Sequence, residues 1–159
     1  RMFNGGSGTI NVTINGGTIS GYRAVWVQLA SNNPSVAPVM NLTINGGTLT
    51  SNDQTYNQAI YSYSYGNDMK NVLINVSGGT FNGDIGLTGG ANKTNLETLN
   101  ISGGQFNGQW AFYSYGEDAK ALEAIKVSGG TFMIDPSDYL ESHYSTVETN
   151  GIWTVVAAE

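Results

Sequence analysis

The sequence repeats one short stretch, VTINGGTI at residues 12–19, which returns as LTINGGTL at residues 42–49. Three further versions follow, INVSGGTF at 74–81, LNISGGQF at 99–106 and IKVSGGTF at 125–132. Their first glycines stand at 16, 46, 78, 103 and 129, so the periods are 30, 32, 25 and 26 residues. Self-similarity at this spacing predicts a protein built by repeating one small supersecondary unit.

Each stretch alternates apolar and polar residues before its glycine pair. The two apolar columns hold Val12, Leu42, Ile74, Leu99 and Ile125, and then Ile14, Ile44, Val76, Ile101 and Val127. Because side chains alternate across a strand, this pattern predicts a short strand with one face turned inward. The glycine pair permits backbone angles that other residues tolerate badly, so it predicts a turn into a second strand.

A unit this small cannot bury its apolar face alone, so neighbouring units must stack to make one core. We therefore predict an all-β fold, a right-handed parallel β-helix of about five coils over residues 1–134. Residues 135–159 break the pattern and are predicted to cap the same domain. Asp135-Pro136 predicts a short helix over residues 136–143, and Asn150-Gly151 predicts a β-hairpin after it.

The repeated string resembles the parallel β-helix repeats of the pectin-lyase-like superfamily. GGTF followed by Asp135-Pro136-Ser137 and a closing Gly-x-Trp-Thr-Val strand is similar to C-terminal modules in repeat proteins of gut bacteria and their phages. The resemblance covers roughly residues 9–156. It implies the fold and leaves function open, because that architecture includes lyases, glycosidases, tailspikes, adhesins and structural pieces.

The charge balance excludes several classes of partner. Six Lys and Arg residues stand against twelve Asp and Glu residues, for a net charge of −6. No basic stripe is present to neutralise phosphates, so nucleic acid is not an expected partner. No apolar run approaches the roughly 20 residues of a membrane helix, so no membrane insertion is expected. The absence of cysteine excludes disulfides and thiolate metal sites.

The acidic residues are scattered and match no catalytic motif. Asp68 and Asp118 stand in related strings, SYGNDMK and SYGEDAK, which makes them the candidates for a calcium or catalytic site. The competing interpretation is a duplicated loop in which each Asp accepts backbone hydrogen bonds. We favour the loop, and expect no catalytic residue, no metal and no cofactor. His143 is the only histidine, and no Gly-x-Ser-x-Gly motif accompanies it.

Aromatic residues mark one predicted strand of each unit. If Val25, Ile60, Leu87 and Phe112 point inward, the residues after them, Trp26, Tyr61, Thr88 and Tyr113, point outward. Two places further stand Gln28, Tyr63, Gly90 and Tyr115. This alignment predicts an exposed strip of Trp26, Tyr61, Tyr63, Tyr113 and Tyr115, which is typical of a contact surface. The strip can serve as a subunit interface, as a platform for a ligand, or as core beneath a long loop; we favour the interface.

These features predict a non-enzymatic structural, display or adhesion module on a bacterial cell surface or virion. Its expected partners are further copies of itself, with a trimer favoured, and a cell-surface glycan. The start at Arg1 rather than Met predicts that the chain continues a longer protein at its N-terminus. The alternative is a carbohydrate-active module, either a polysaccharide lyase or hydrolase or a glycan-binding unit.

Overall fold

A computed structural model describes residues 1–31, 38–66, 71–88, 97–108, 112–114 and 125–158 of the chain. These residues form strands, turns and one short 3-10 turn, with no α-helix among them. The strands assemble into three sheets, so the protein is all-β.

The first sheet takes one strand from each repeat, in the order β1-β4-β7-β10-β13, and every pair in it is parallel. Its strands are β1 (Met2–Asn4), β4 (Val25–Ser31), β7 (Gln58–Gly66), β10 (Asp84–Thr88) and β13 (Phe112–Ser114).

The second sheet is also parallel, with the strand order β2-β5-β8-β11-β14. Its strands are β2 (Gly8–Ile14), β5 (Pro38–Ile44), β8 (Asn71–Val76), β11 (Glu97–Ile101) and β14 (Ile125–Val127).

The third sheet is mixed. Five strands that follow the glycine pairs are parallel, and two C-terminal strands join them in antiparallel pairs. In spatial order the strands are β3 (Thr18–Gly21), β6 (Thr48–Ser51), β9 (Thr80–Asn82), β12 (Gln105–Phe106), β15 (Thr131–Phe132), β17 (Ile152–Ala157) and β16 (Tyr144–Thr149).

Equivalent residues of successive repeats lie opposite one another. Val12 pairs with Leu42, Leu42 with Ile74, and the column continues through Leu99 to Ile125. Leu42, Ile74 and Leu99 are fully buried. The repeated apolar columns of the sequence therefore build one continuous core.

The two glycines of each pair serve different purposes. The second takes a positive φ, +99° at Gly47 and +102° at Gly79, which side chains rarely adopt. The first allows a close approach between repeats. A Cβ on Gly46 would lie 2.9 Å from the Asn15 carbonyl oxygen, and one on Gly78 would lie 2.6 Å from that of Asn45.

The prediction of a right-handed parallel β-helix with about five coils and a helix-hairpin cap is wrong. The described strands form three sheets, and the third contains antiparallel pairs. Strand β17 pairs with β15 and thereby extends the third sheet instead of forming a separate cap. The repeat pattern in the sequence shows which residues face the core, but it carries no information on the direction of this last pairing.

The predicted helix over residues 136–143 is absent for a local reason. Only Ser137–Tyr139 form a 3-10 turn, which starts after Pro136. Leu140 is already extended, at φ −67° and ψ 138°, and bridges to Val127 of β14. One turn makes too few hydrogen bonds to offset the free-energy cost of nucleating an α-helix. The bridge to Val127 then holds Leu140 in an extended conformation.

Candidate functional site

Three of the five residues predicted for the aromatic strip have described side chains. Trp26 lies on β4, and Tyr61 and Tyr63 lie on β7; all three are partly exposed on the outer face of the first sheet. The backbone of Tyr113 belongs to β13. Tyr115, Asp68 and Asp118 lie outside the described residues.

The predicted alignment of the strip was wrong in one repeat. A register shift between Asp84 and Ile85 places Ile85 opposite Ile60, so Gly86 lies opposite Tyr61 and Tyr113. Thr88 therefore does not continue the row of Trp26 and Tyr61. A Cβ at Gly86 would lie 2.6 Å from Nε2 of Gln58 and 3.3 Å from Cδ2 of Tyr61. This glycine leaves the space that those two side chains occupy.

The described rings contact each other between β4 and β7 and also along β7. Trp26 and Tyr61 meet edge to face, with 5.7 Å between ring centroids and an interplanar angle of 66°. Tyr61 and Tyr63 are stacked, with centroids 6.2 Å apart. Both arrangements are favourable for aromatic pairs, so the rings fix one another's orientation.

Arg23 lies at the centre of this surface. Its guanidinium carbon is 4.0 Å from the centroid of the Tyr61 ring. The rings of Trp26, Tyr22 and Tyr56 follow at 5.2, 5.2 and 5.4 Å. These distances are within the range of cation–π attraction. The Arg23 Nε also donates a hydrogen bond of 2.7 Å to Oε1 of the buried Gln58, which holds the guanidinium in place.

A second arginine, Arg1, approaches Trp26 from just before β1. The guanidinium carbon of Arg1 is 5.0 Å from the Trp26 ring centroid and 5.1 Å from that of Phe3. We name this surface the aromatic–arginine face. It comprises Arg1, Phe3, Tyr22, Arg23, Trp26, Tyr56, Tyr61 and Tyr63.

A tight turn supports one border of the face. The Asp53 carboxylate accepts hydrogen bonds from the backbone N–H groups of Thr55 and Tyr56, at 3.0 and 3.1 Å. Because the turn holds Tyr56, it sets one of the rings around Arg23. Ser51 connects the turn to the preceding repeat, since its hydroxyl donates to the Tyr22 carbonyl oxygen at 2.9 Å.

The electrostatics of the turn favour a charged carboxylate. Desolvation alone would raise the pKa of the Asp53 carboxyl, but the backbone hydrogen bonds from Thr55 and Tyr56, together with Tyr22 and Arg23, hold that pKa below its usual value. The Tyr22 hydroxyl acts by donating a hydrogen bond to the carboxylate, and Arg23 acts by its positive charge. Desolvation and the bond to Asp53 in turn raise the pKa of the Tyr22 hydroxyl. Tyr22 therefore stays protonated and donates to the carboxylate.

Sequence reasoning missed the cations and the loop tyrosines of the face. Tyr22-Arg23 and Tyr56 stand in the connections from the third sheet to the first, just before β4 and β7. The sequence did contain a signal for these tyrosines, because Tyr22 and Tyr56 each stand a few positions before the strand that follows, β4 or β7. The contacts themselves depend on the stacking of successive connections, which only the structure shows.

No group of three His, Cys, Asp or Glu residues that could hold a metal ion occurs within the described ranges. The buried acids found there, Asp84 and Glu97, begin strands of different sheets. His143 is exposed, with φ at 72°. The expectation of no metal and no catalytic residue stays a prediction, because Asp68 and Asp118 lie outside these ranges.

In comparisons with known proteins, no family model, curated protein or solved structure matched the chain. Within the described ranges, no helix has both the length and the apolar character needed to cross a membrane. The function must therefore be inferred from the residues of this chain.

Proposed function

We propose that this protein is a non-enzymatic display or adhesion module of a bacterial cell surface or virion. Its contact surface is the aromatic–arginine face, and its first partner is a further copy of the same chain, in a trimer. The observation that carries the proposal is the position of Arg23 among four aromatic rings on the outer face of a sheet.

The exposure of the face supports a contact role. Tyr22, Phe3 and Tyr56 are 57%, 50% and 45% exposed, although each has a large apolar surface. Tyr, Trp and Arg are enriched at the energetically dominant positions of protein interfaces. The ring contacts and the Gln58 bond already order these side chains, so binding would lose little conformational entropy.

The charge distribution supports self-association through unlike surfaces. The chain has a net charge of −6, yet both of its arginines lie on this face. In a cyclic trimer each interface joins two different surfaces of the subunit. The arginines of one subunit then meet a different surface of its negatively charged neighbour, and not a second pair of arginines.

Light scattering on the unmodified chain and on Tyr61→Ser tests this assembly. We expect three times the monomer mass for the unmodified chain and the monomer mass for the variant, because Tyr61 contacts Trp26, Tyr63 and Arg23. Val147→Ser is the matched control, since Val147 is also exposed and apolar but lies on β16. A monomeric unmodified chain, or a trimer in all three, would contradict the assembly.

The same face favours glycan binding as a second function. Exposed ring faces stack on the apolar faces of sugars, and the neighbouring Arg23 and Asp53 offer a donor and acceptors for hydroxyl groups. Tryptophan fluorescence during titration with neutral and uronic-acid oligosaccharides checks this candidate. We expect saturable quenching that Tyr61→Ser abolishes and Val147→Ser preserves; quenching that is equal in both variants would contradict it.

A further inference from the structure

We propose that the edge formed by β1, β2 and β3 is a docking surface for one further unit of this chain's own repeat, joined covalently through Arg1. The unit would supply one strand beside β2, a Gly-Gly turn, and one strand beside β3. Arg1 also belongs to the aromatic–arginine face, but this inference concerns the edges of the sheets and uses none of the contacts of that face.

The first supporting observation is that no atom lies close to the position of a Cβ on Gly16, unlike the equivalent glycine of each later repeat. In each later repeat, a Cβ on the first glycine would collide with a carbonyl oxygen of the repeat before it: Asn15 for Gly46, Asn45 for Gly78, Ser77 for Gly103 and Ser102 for Gly129. At Gly16 a Cβ would meet nothing within 4 Å, and its φ is outside the left-handed region. Among the described residues nothing requires glycine at position 16, whereas a preceding unit would require it.

The second observation is the exposure of the core at this edge. Ile10, Val12, Ile14 and Ile19 are all only half-buried. Their partners in the next repeat, Met40, Leu42, Ile44 and Leu49, are fully buried. The core columns thus continue to the edge, and one more layer would bury them as the later residues are buried.

The third observation is a ladder of asparagine side chains. Asn41 donates to Oδ1 of Asn11, and Asn45 donates to Oδ1 of Asn15, both at 2.8 Å. The same direction recurs further along, where Asn100 donates to Asn75 at 2.9 Å. Each later side chain donates toward the repeat before it. Within the described residues Asn11 and Asn15 only accept, so their amide groups are available to a preceding unit in the same sense.

The path of the chain indicates the position at which the further unit would join it. Met2 pairs with Val27, so β1 occupies the first sheet one layer ahead of β4. In the four later repeats whose described strands contribute to all three sheets, the chain forms its second-sheet strand first, then its third-sheet strand and then its first-sheet strand. A unit that completes the layer of β1 therefore enters it directly before Arg1. At the other end β17 covers β15 and Leu140 bridges to β14, which disfavours that end of a second copy as the partner.

The register defines a specific fusion as the probe. Because Met2 pairs with Val27, Arg1 stands in the place of Trp26. A copy of residues 8–25 placed directly before Arg1 therefore continues the register. The matched control is the same segment with its residue order shuffled. Gly16→Ala is then introduced into the unmodified chain, the fusion and the shuffled control, with Gly46→Ala as the reference in each.

We expect the fused unit to raise the melting temperature and to make position 16 intolerant of alanine. In the unmodified chain and the shuffled control, Gly16→Ala should leave the melting temperature within about 1 °C. In the fusion it should lower the melting temperature by about 3 °C or more, as Gly46→Ala does in all three. A fusion that gives no rise, or in which Gly16→Ala stays harmless, would overturn the proposal.

A second copy at this edge is an outcome that the same samples separate. Suppose that the unmodified chain associates, that the fused unit ends this association, and that Gly16→Ala stays harmless in the fusion. A second copy then occupies the edge, and the proposal is wrong. Tyr61→Ser reports on the aromatic–arginine face instead, so failure of that assembly leaves this test unaffected.

Discussion

At the scale of single residues, Arg23 connects the parts of the candidate contact surface. It lies on rings from the connection before β4, from β4 itself, from the Asp53 turn and from β7. The bond to Gln58 fixes its plane. A planar guanidinium can stack and donate at once, which the ammonium of lysine cannot do in the same geometry.

Arg23→Lys should therefore lower the free energy of unfolding by about 1 kcal/mol, although the charge is retained. Urea denaturation followed by fluorescence measures this change. Lys126→Arg on the exposed part of β14 is the control and should have no effect beyond about 0.5 kcal/mol. An equal effect of the two substitutions would show that the stacking contributes nothing.

Asp53 predicts a pH dependence whose sign follows from its lowered pKa. Such a carboxyl has a lower pKa in the folded state than in the unfolded state, where the pKa is about 4, so it stabilises the fold fully at any pH above the unfolded pKa. This contribution is lost as the pH falls through the folded pKa. Asp53→Asn keeps an oxygen for the turn but removes the charge. Its melting temperature should lie below that of the unmodified chain at pH 7, and the gap should close toward pH 2.

Asp53→Ala is the matched control for that series. It removes the hydrogen bonds to Thr55 and Tyr56 as well as the charge. Its deficit should persist at acid pH, because a protonated carboxyl still accepts the backbone bonds. A gap between Asp53→Asn and the unmodified chain that does not change with pH would contradict the role of the charge.

At the scale of elements, the third sheet is held by a stack of phenylalanines. Phe81 on β9, Phe106 on β12 and Phe132 on β15 are buried, and their ring centroids are 4.7 and 4.6 Å apart at interplanar angles of 2° and 5°. Each ring packs against the equivalent ring of its neighbour. The stack thus joins three repeats through one column.

Phe106→Ala should lower the free energy of unfolding by about 3–5 kcal/mol, because it opens a cavity between two rings. Phe106→Leu should cost less, since it fills part of that volume and matches Leu49 earlier in the same column. Chemical denaturation measures both. Equal losses in the two variants would show that aromatic stacking, rather than volume, dominates the column.

The elements also show how far the sequence could be read. Alternation predicted the inward residues of the second sheet, and the third-sheet apolar column continues through Phe81, because both follow the period of a strand. The prediction placed Leu87 opposite Ile60 because each follows a small residue, whereas the structure places Ile85 there. The sequence does not show which residues of β10 and β7 pair. Arg23 was missed because its partners come from separate connections that meet only after stacking.

At the scale of the whole molecule, parallel pairing in register accounts for most of the fold. The same pairing repeats the apolar columns, the asparagine ladder and the aromatic positions at fixed places on the surface. The failure to foresee the mixed third sheet has a local origin, in strands β16 and β17, which no longer carry the repeat. The proposed function depends on this regularity, because it brings rings from separate repeats onto one face.

The most direct test of the contact surface is hydroxyl-radical footprinting at a low and a high protein concentration. If the aromatic–arginine face is the assembly interface, oxidation of Trp26, Tyr61 and Tyr63 should fall several-fold at high concentration, while that of Val147 stays constant. Equal oxidation of the face at both concentrations, in a sample that light scattering shows to be trimeric at the higher one, would contradict the account.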